Sequence, residues 1–417
     1  MPTPSPEVII IGAGLSGLAC ALELIKHGVS VQLLEQENAP GGRVRTDNVE
    51  GFLLDRGFQV YLDAYQNASQ LLDIAALDLQ PFEPGAIIFK QGQKYRLMDV
   101  FRRPGSLFSS ALSPIGSVID KALVAKLRFF LKFSSIDQIQ KRANLTTDTY
   151  LKKFGFSNGM IDHFFRSFYG GIFLESELGT SSRMFEFTFK MFTEGSATLP
   201  AKGMEEIPRQ LAARLPAGAL RCNTTVAKIQ GSEVILASGE TLIPEQIVLA
   251  VPGDAAQNML PALALLEVKW RSVTNCYFAA PHSPLKEAII ALSGDPDSLI
   301  NNLSVPTDLS AAYAPDGQAL ISVTILGLHD EVDLLERVIS ELRSWFGDEV
   351  AAWRHLRTDR IERALPEQTP HTKKPANAVE GVFLCGDQHT TTSIEGAITS
   401  GQETAKRVLQ QRDKPTI

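Results

Sequence analysis

The chain of 417 residues lacks an excess of basic side chains, since 40 Lys and Arg stand against 47 Asp and Glu. Proteins that bind nucleic acid neutralise its phosphates with basic surfaces, so this balance argues against that class of partner. Cysteine is also scarce, and Cys20, Cys222, Cys276 and Cys385 lie too far apart to match a metal-ligand spacing. They indicate reduced thiols in a reducing compartment, and no metal site is predicted.

Long uninterrupted apolar runs are absent as well, and a membrane-spanning helix needs roughly 18 or more such residues. Residues 8–25 are apolar enough to imitate a signal peptide, but no basic side chain precedes them and Glu23 interrupts them. The sequence therefore predicts a cytoplasmic protein. Its 44% hydrophobic and 21% charged residues suffice for sizeable cores, and its length favours two or three domains.

The most informative feature present is a glycine-rich turn between a predicted strand, residues 8–11, and a predicted helix. Gly12 permits a tight turn, Gly14 lets a pyrophosphate approach the backbone, and Gly17 lets the helix pack closely on the sheet. Glu35 ends the next predicted strand, where an acidic side chain binds a ribose hydroxyl and repels a 2′-phosphate. Together these features predict adenine-dinucleotide binding and disfavour NADP.

Two further segments favour FAD over NAD. Gly42 and Arg43, in a glycine–glycine–arginine turn after the second strand, offer a flexible turn and a fixed cation to a pyrophosphate. The sequence predicts another buried strand at residues 381–385. Asp387 follows this strand, and a predicted helix begins near Ile394. A long flavin cofactor can use this second helix N-terminus, whereas a nicotinamide cofactor has less need of it.

These motifs resemble those of the superfamily of flavin-containing amine oxidases, phytoene desaturases and protoporphyrinogen oxidases. The resemblance lies in VIIIGAGLSGLACALEL, LLEQENAPGGRVRT, FLLDRGFQV and VFLCGDQHTTTSIEGAITSGQETA. It implies an α/β fold with a non-contiguous, Rossmann-like FAD-binding domain made of residues 1–85, 195–255 and 355–417. An inserted α+β substrate domain would comprise residues 86–194 and 256–354.

The resemblance also implies a role for each matching residue around a non-covalent FAD. The pyrophosphate would lie against the glycine-rich turn, with Glu35 at the adenosine ribose and Arg43 on the phosphate side. The other implied FAD contacts are Gly57, Phe58 and Gln59 along the flavin, Val226 at the adenine, Asp387 at the phosphate–ribityl region and Ile394 at the flavin pyrimidine. No catalytic side chain is predicted, since hydride transfer to a flavin needs no obligatory side-chain base.

Two positions depart from the amine oxidase pattern. Asn275 stands where those enzymes keep a flavin-facing lysine, and Ser393 stands where they keep an aromatic residue. The departures favour an FAD-dependent oxidoreductase that takes a hydride from a C–H bond of a hydrophobic substrate and is reoxidised by oxygen or a quinone. An amine oxidase with an atypical site, a flavin-dependent isomerase and a non-catalytic FAD-binding scaffold stay open as alternatives.

Two apolar segments each allow two interpretations. The phenylalanines concentrated in residues 150–200 would line an apolar tunnel for the substrate, or form the core of the substrate domain. Within them, residues 185–189 alternate as in a strand, although a helix is the alternative. Residues 121–133 carry four basic and no acidic side chains. That segment would lie peripherally on an anionic membrane, or pack as an ordinary helix whose lysines reach water.

Overall fold

A six-stranded sheet occupies the centre of the computed structural model, which describes residues 6–103, 105, 114–261, 268–372, 378–379 and 381–412. Its first five strands run parallel, and the last strand is antiparallel to its neighbour. The strand order across the sheet is Leu220–Arg221, Val31–Leu34, Val8–Ile11, Gln246–Leu249, Val382–Leu384 and Ala378–Val379.

The predicted strand–helix–strand unit is present, and its two strands are the second and third of this sheet. Val8–Ile11 is buried throughout, as expected for a β-branched strand that is covered on both faces. The helix Leu15–Lys26 follows it and packs against the last helix, Ile394–Arg412. The two helices approach so closely that a Cβ on Gly401 would lie 2.2 Å from the Ser16 carbonyl oxygen.

A seven-stranded, mostly antiparallel sheet forms the second layer. Its strand order is Arg354–Pro366, Trp270–Ala280, Ala319–Leu326, Asn302–Ser304, Ile290–Ser293, Gly85–Lys90 and Gln93–Met98. The division into domains stays a prediction. The strand Arg354–Pro366 lies in this sheet, whereas the predicted division assigns residues 355–417 to the FAD-binding domain.

Smaller elements connect the two sheets. Three small sheets comprise Thr46–Val49 with Phe52–Asp55, Tyr61–Leu62 with Ala197–Pro200 and Leu79–Pro81, and Val226–Gln230 with Glu233–Leu236 and Thr241–Leu242. The helices around them are Gln66–Leu71, Ile74–Leu77, Glu206–Ala212, Gly253–Met259 and Leu334–Phe346. Short 3-10 turns lie at Pro306–Asp308, Ala311–Tyr313, Gly347–Ala352 and Asp387–His389.

A helical layer holds most of the phenylalanines. It consists of Val118–Lys132, Ile136–Lys141, Thr147–Phe154, Asn158–Met160, a π-helical turn at Ile161–Phe165, Arg166–Phe173 and Ser182–Glu194. The last of these shows that residues 185–189 are helical and not a strand. Phe165, Phe173 and Phe185 are fully buried and form core. Among the described residues, no helix combines the length and apolarity needed to cross a bilayer.

Candidate functional site

The glycine-rich turn is tightly packed on its protein side and open at its middle glycine. Gly12 has a φ of +103°, and a Cβ there would lie 2.7 Å from the Ala250 carbonyl oxygen. A Cβ on Gly17 would lie only 2.0 Å from the Gly12 carbonyl oxygen. A Cβ on Gly14 would meet no protein atom within 4 Å. The turn therefore leaves a space beside Gly14 that a pyrophosphate fits.

Backbone donors face this space. Gly14 precedes the helix Leu15–Lys26, and within the described part of the chain no side chain caps that helix N-terminus. Its first N–H groups and the positive end of its dipole suit an anion. The second glycine turn lies alongside, since Gly41 N donates to the Ala13 carbonyl at 2.8 Å. Gly42, at a φ of +59°, comes close enough that a Cβ would lie 3.3 Å from Gly14 Cα.

Arg43 and Asp387 meet although they are far apart in sequence. The Arg43 guanidinium forms a 2.5 Å ion pair with the buried Asp387 carboxylate. It also lies 5.4 Å above the ring of Trp270. Gln59 donates to the Arg43 carbonyl at 2.8 Å. The predicted phosphate and flavin contacts are thus held in one hydrogen-bonded group.

Glu35 lies at the carboxyl end of the strand Val31–Leu34 and is buried. One oxygen of its carboxylate accepts from Ala13 N at 2.8 Å, and the other accepts from Glu37 N at 2.9 Å. Its carbonyl accepts from Thr224 N at 2.8 Å, which places the segment that leads into Val226 beside it. The predicted ribose and adenine contacts therefore share one end of the parallel sheet.

Gly57, Phe58 and Gln59 lie over the seven-stranded sheet. Gly57 has a φ of +83°, and its N–H donates to the Tyr277 hydroxyl at 3.0 Å. That hydroxyl in turn donates to the Asp55 carbonyl. A Cβ on Gly57 would lie 3.0 Å from Ile361 Cδ1. Sequence reasoning missed Tyr277, because it carries no local motif and its partners lie in a distant segment.

Asp55 connects three parts of the site and was also missed, although it belongs to one of the resembling stretches. Its carboxylate accepts from Thr46 Oγ1 at 2.5 Å, Met204 N at 2.9 Å and the Tyr313 hydroxyl at 2.8 Å. Burial raises the pKa of Asp55 to about 6, although these hydrogen bonds partly oppose the rise. Burial likewise raises the pKa of Tyr313 well above its ordinary value.

Asn275 lies on the sheet face beneath residues 57–59. Alternate residues of a strand share a face, so Asn275 lies beside Tyr277. Its amide is fully buried, donates to Ser322 Oγ at 3.0 Å and accepts from Thr324 Oγ1 at 3.1 Å. The position where a lysine would be expected therefore holds a neutral group bound to two hydroxyls. The lining of a pocket above this face includes Asp55, Gly57, Phe58, Tyr277, Tyr313 and Ser322.

The last helix begins at Ile394, as predicted. Ser393 Oγ accepts from Gly396 N at 3.0 Å, so this serine caps the helix N-terminus. The carboxylate of Glu395 accepts from Asn67 N at 3.0 Å and from Ala68 N at 2.9 Å. These bonds fix the helix end in place, and the contact of Ile394 with FAD stays a prediction, as do the other implied FAD contacts.

No group of three or more His, Cys, Asp or Glu side chains suited to a metal ion occurs in the part of the chain that the structure describes. The site instead combines a parallel sheet, a glycine-rich turn open at Gly14, and an acidic side chain at the end of the second strand. This donor set fits an adenine dinucleotide such as FAD, and it defines the class of protein as dinucleotide-binding.

Comparison with known proteins identifies the family of the chain. The model of the family described as flavin containing amine oxidoreductase matches residues 15–409, and the chain belongs to this family. The 15-cis-phytoene desaturase of Narcissus pseudonarcissus is 21% identical over 466 residues, covering 98% of this chain and 80% of that protein.

Solved structures share the fold. An oxidoreductase from Methanosarcina mazei has a TM-score of 0.75 at 16% identity and covers 97% of this chain and 99% of its own. A putrescine oxidase variant has a TM-score of 0.74 at 16% identity, with 98% and 100% covered. The predicted superfamily, the α/β fold with its Rossmann-type FAD-binding domain, and FAD as the cofactor are confirmed. The protein is an FAD-dependent oxidoreductase.

Proposed function

We propose that this enzyme takes a hydride from a C–H bond of an apolar substrate, in a desaturation or oxidation. The observation that carries the proposal is the neutral Asn275, fully buried beneath residues 57–59 and bound to Ser322 and Thr324. The amine oxidase pattern has a lysine at this position, and this chain has a neutral amide there, held by two hydroxyls. Hydride transfer from an apolar substrate needs no charged side chain at this position.

The half-buried phenylalanines of the helical layer support an apolar substrate. Phe164 and Phe168 stack with ring centroids 5.4 Å apart. They pack against Ile88 and Leu292 of the seven-stranded sheet. These partly buried rings add apolar surface between the helical layer and the sheet, which suits an apolar substrate better than a charged one. The similarity to a 15-cis-phytoene desaturase over nearly the whole chain supports the same class of reaction.

When bound, FAD would supply the acceptor for the two electrons of the hydride, and oxygen or a quinone would reoxidise it. The residues of this chain would hold the cofactor and orient it. Tyr277 fixes the backbone of Gly57, and Arg43 would contribute a cation on the phosphate side. The N-terminus of the last helix, at Ile394, would favour negative charge at the pyrimidine end of the cofactor.

Anaerobic absorbance measurements test the proposal. The holoenzyme is mixed with phytoene in detergent, with a porphyrinogen, or with putrescine, and the visible flavin band is followed. We expect at least one of the two apolar substrates to bleach the band and putrescine to leave it unchanged. Bleaching by putrescine alone would contradict the proposal in favour of an amine oxidase.

Photoreduction of the same samples serves as the control, since it shows that the flavin can accept electrons. A flavin that light reduces, but that neither apolar compound reduces, would favour the isomerase or the scaffold and count against the proposal. Admission of air or of a soluble quinone to the bleached sample then identifies the electron acceptor by the return of the band.

A further inference from the structure

One surface of the helical layer is unusually apolar. Of the nine large hydrophobic side chains exposed in the described residues, six lie at residue 101 and on or next to the helix Val118–Lys132. This concentration sets the surface apart from the scattered exposed apolar residues of ordinary soluble proteins. We name the five on or directly after the helix the aromatic stripe, after its three phenylalanines. It consists of Val118, Ile119, Phe129, Phe130 and Phe133.

The stripe lies opposite the face by which the helix is anchored. Leu127 and Leu131 are fully buried on the inner face. At 3.6 residues per turn, the stripe residues fall together on the outer face. Phe129 and Phe133 contact each other with ring centroids 4.9 Å apart. The helix is therefore apolar on two sides, which an ordinary surface helix is not.

Basic side chains border the stripe, in a protein with a net charge of −7. The helix carries Lys121, Lys126, Arg128 and Lys132, and its acidic residue Asp120 is buried at the N-terminal cap. Arg142 lies 4.2 Å above the ring of Phe130. Three acidic groups near this helix are paired with basic side chains, Asp99 with Arg128, Glu186 with Arg142 and Glu194 with Lys190.

We propose that the aromatic stripe docks on a bilayer that contains anionic phospholipid. Its phenyl rings enter the headgroup region, and the neighbouring lysines contact lipid phosphates. A second copy of this chain fits the surface less well, because a two-fold contact would place two basic helices against each other. The inference goes beyond the proposed function and does not depend on it, since lipid binding needs no turnover.

Vesicle flotation of the holoenzyme tests this docking. We expect the protein to float with vesicles of phosphatidylcholine and phosphatidylglycerol in equal amounts, and to float less with phosphatidylcholine alone. Phe129→Ser with Phe133→Ser should lower the partition coefficient at least roughly tenfold, because two large apolar side chains are lost. Lys126→Glu with Lys132→Glu should lower it roughly fivefold or more per charge, and only at low salt.

The matched control is Leu328→Ser with Val332→Ser, which removes two exposed apolar side chains outside the stripe. This variant should float as the parent does. Each variant is first shown to retain its flavin absorbance, so that loss of binding is not loss of fold. The proposal is overturned if the parent does not float with the vesicles that contain phosphatidylglycerol. It is also overturned if the phenylalanine variant floats as well as the parent, or if the control variant loses as much binding as the phenylalanine variant. A third contradicting result would be a dimer of the parent in sedimentation that is lost in the phenylalanine variant and kept in the other variants.

Discussion

The two faces of the seven-stranded sheet are formed by the same strands but bury different chemistry. One face carries Cys276 and Phe278 and packs against the helix Leu334–Phe346 in an apolar cluster. The other face buries Asn275 and Tyr277 beneath residues 57–59. Buried polar groups cost free energy unless each finds a partner, so an apolar face is the cheaper solution for stability alone.

One face of the sheet therefore contributes mainly to stability, and the other face forms part of the candidate site. Successive residues of the strand Trp270–Ala280 point to opposite faces, so the two functions alternate along one strand. Substitutions at neighbouring positions should therefore separate stability from cofactor binding. The following variants test that separation, in order of decreasing expected effect.

Phe278→Ala should have the largest effect on stability. The side chain is fully buried and packs near Trp353, so its loss leaves a cavity. We expect the free energy of unfolding to fall by about 3–5 kcal/mol, with the rate of flavin reduction in the folded protein unchanged. Denaturant unfolding and anaerobic reduction measure the two quantities. A loss below about 1 kcal/mol would show that this face is not a packed core.

Asp55→Asn should change how stability depends on pH. Burial raises the pKa of Asp55 from 3.8 to about 6, so the folded protein holds a proton there that the unfolded chain releases. The stability of the parent should therefore fall, relative to the variant, as pH rises from about 4 to about 6. We expect a change of up to about 3 kcal/mol across this window and none above it. Unfolding curves at several pH values check this, and a difference that does not vary with pH would contradict it.

Tyr277→Phe should affect both stability and the flavin. The change leaves the Gly57 N–H and the Asp55 carbonyl without their shared partner, at a cost of about 1–3 kcal/mol. We also expect a shift of the visible flavin band and weaker FAD binding, measured by titration of the apoprotein. Tyr313→Phe is the matched control, because its hydroxyl bonds to the Asp55 carboxylate and not to Gly57. An equal band shift in both variants would refute a specific role for Tyr277.

Asn275→Leu should have the smallest effect on stability, a loss of about 1 kcal/mol. Ser322 and Thr324 then lack their partner, while the larger apolar side chain recovers part of the cost. Adding Ser322→Ala and Thr324→Val should restore the stability, because no buried polar group is then left without a partner. Denaturant unfolding of both variants measures this. If Asn275→Leu alone is more stable than the parent, the Asn275 amide contributes nothing to the stability of the fold.

The sequence predicts the glycine-rich turn well because its geometry is local. Gly12 and Gly17 are required by close approaches within a few residues or to one neighbouring strand. Asp387 follows a strand of buried type, and the structure brings it into an ion pair with Arg43, which the motifs alone do not predict. The glycine positions depend on backbone conformation, which a short motif reveals.

Side-chain packing between distant segments could not be predicted in the same way. Tyr277 reaches Asp55 from the seven-stranded sheet and Tyr313 reaches it from a 3-10 turn, and no residue next to either tyrosine in sequence indicates these contacts. The alternation at residues 185–189 fits a strand, but Phe185, Phe189 and Phe192 also recur at the helical spacing of the alternative, and the segment is a helix. Short apolar runs fit both periods, and tertiary packing decides between them.

FAD binding by Gly14→Ala tests the central claim most directly, namely that the cofactor lies beside the open glycine. Gly14 has a φ of −71°, and a Cβ there meets no protein atom within 4 Å, so the apoprotein should fold as the parent does. A cofactor that lies beside Gly14 predicts an unchanged apoprotein unfolding midpoint and an FAD affinity at least roughly tenfold weaker, about 1.4 kcal/mol. A variant that binds FAD as tightly as the parent would contradict the placement of the cofactor.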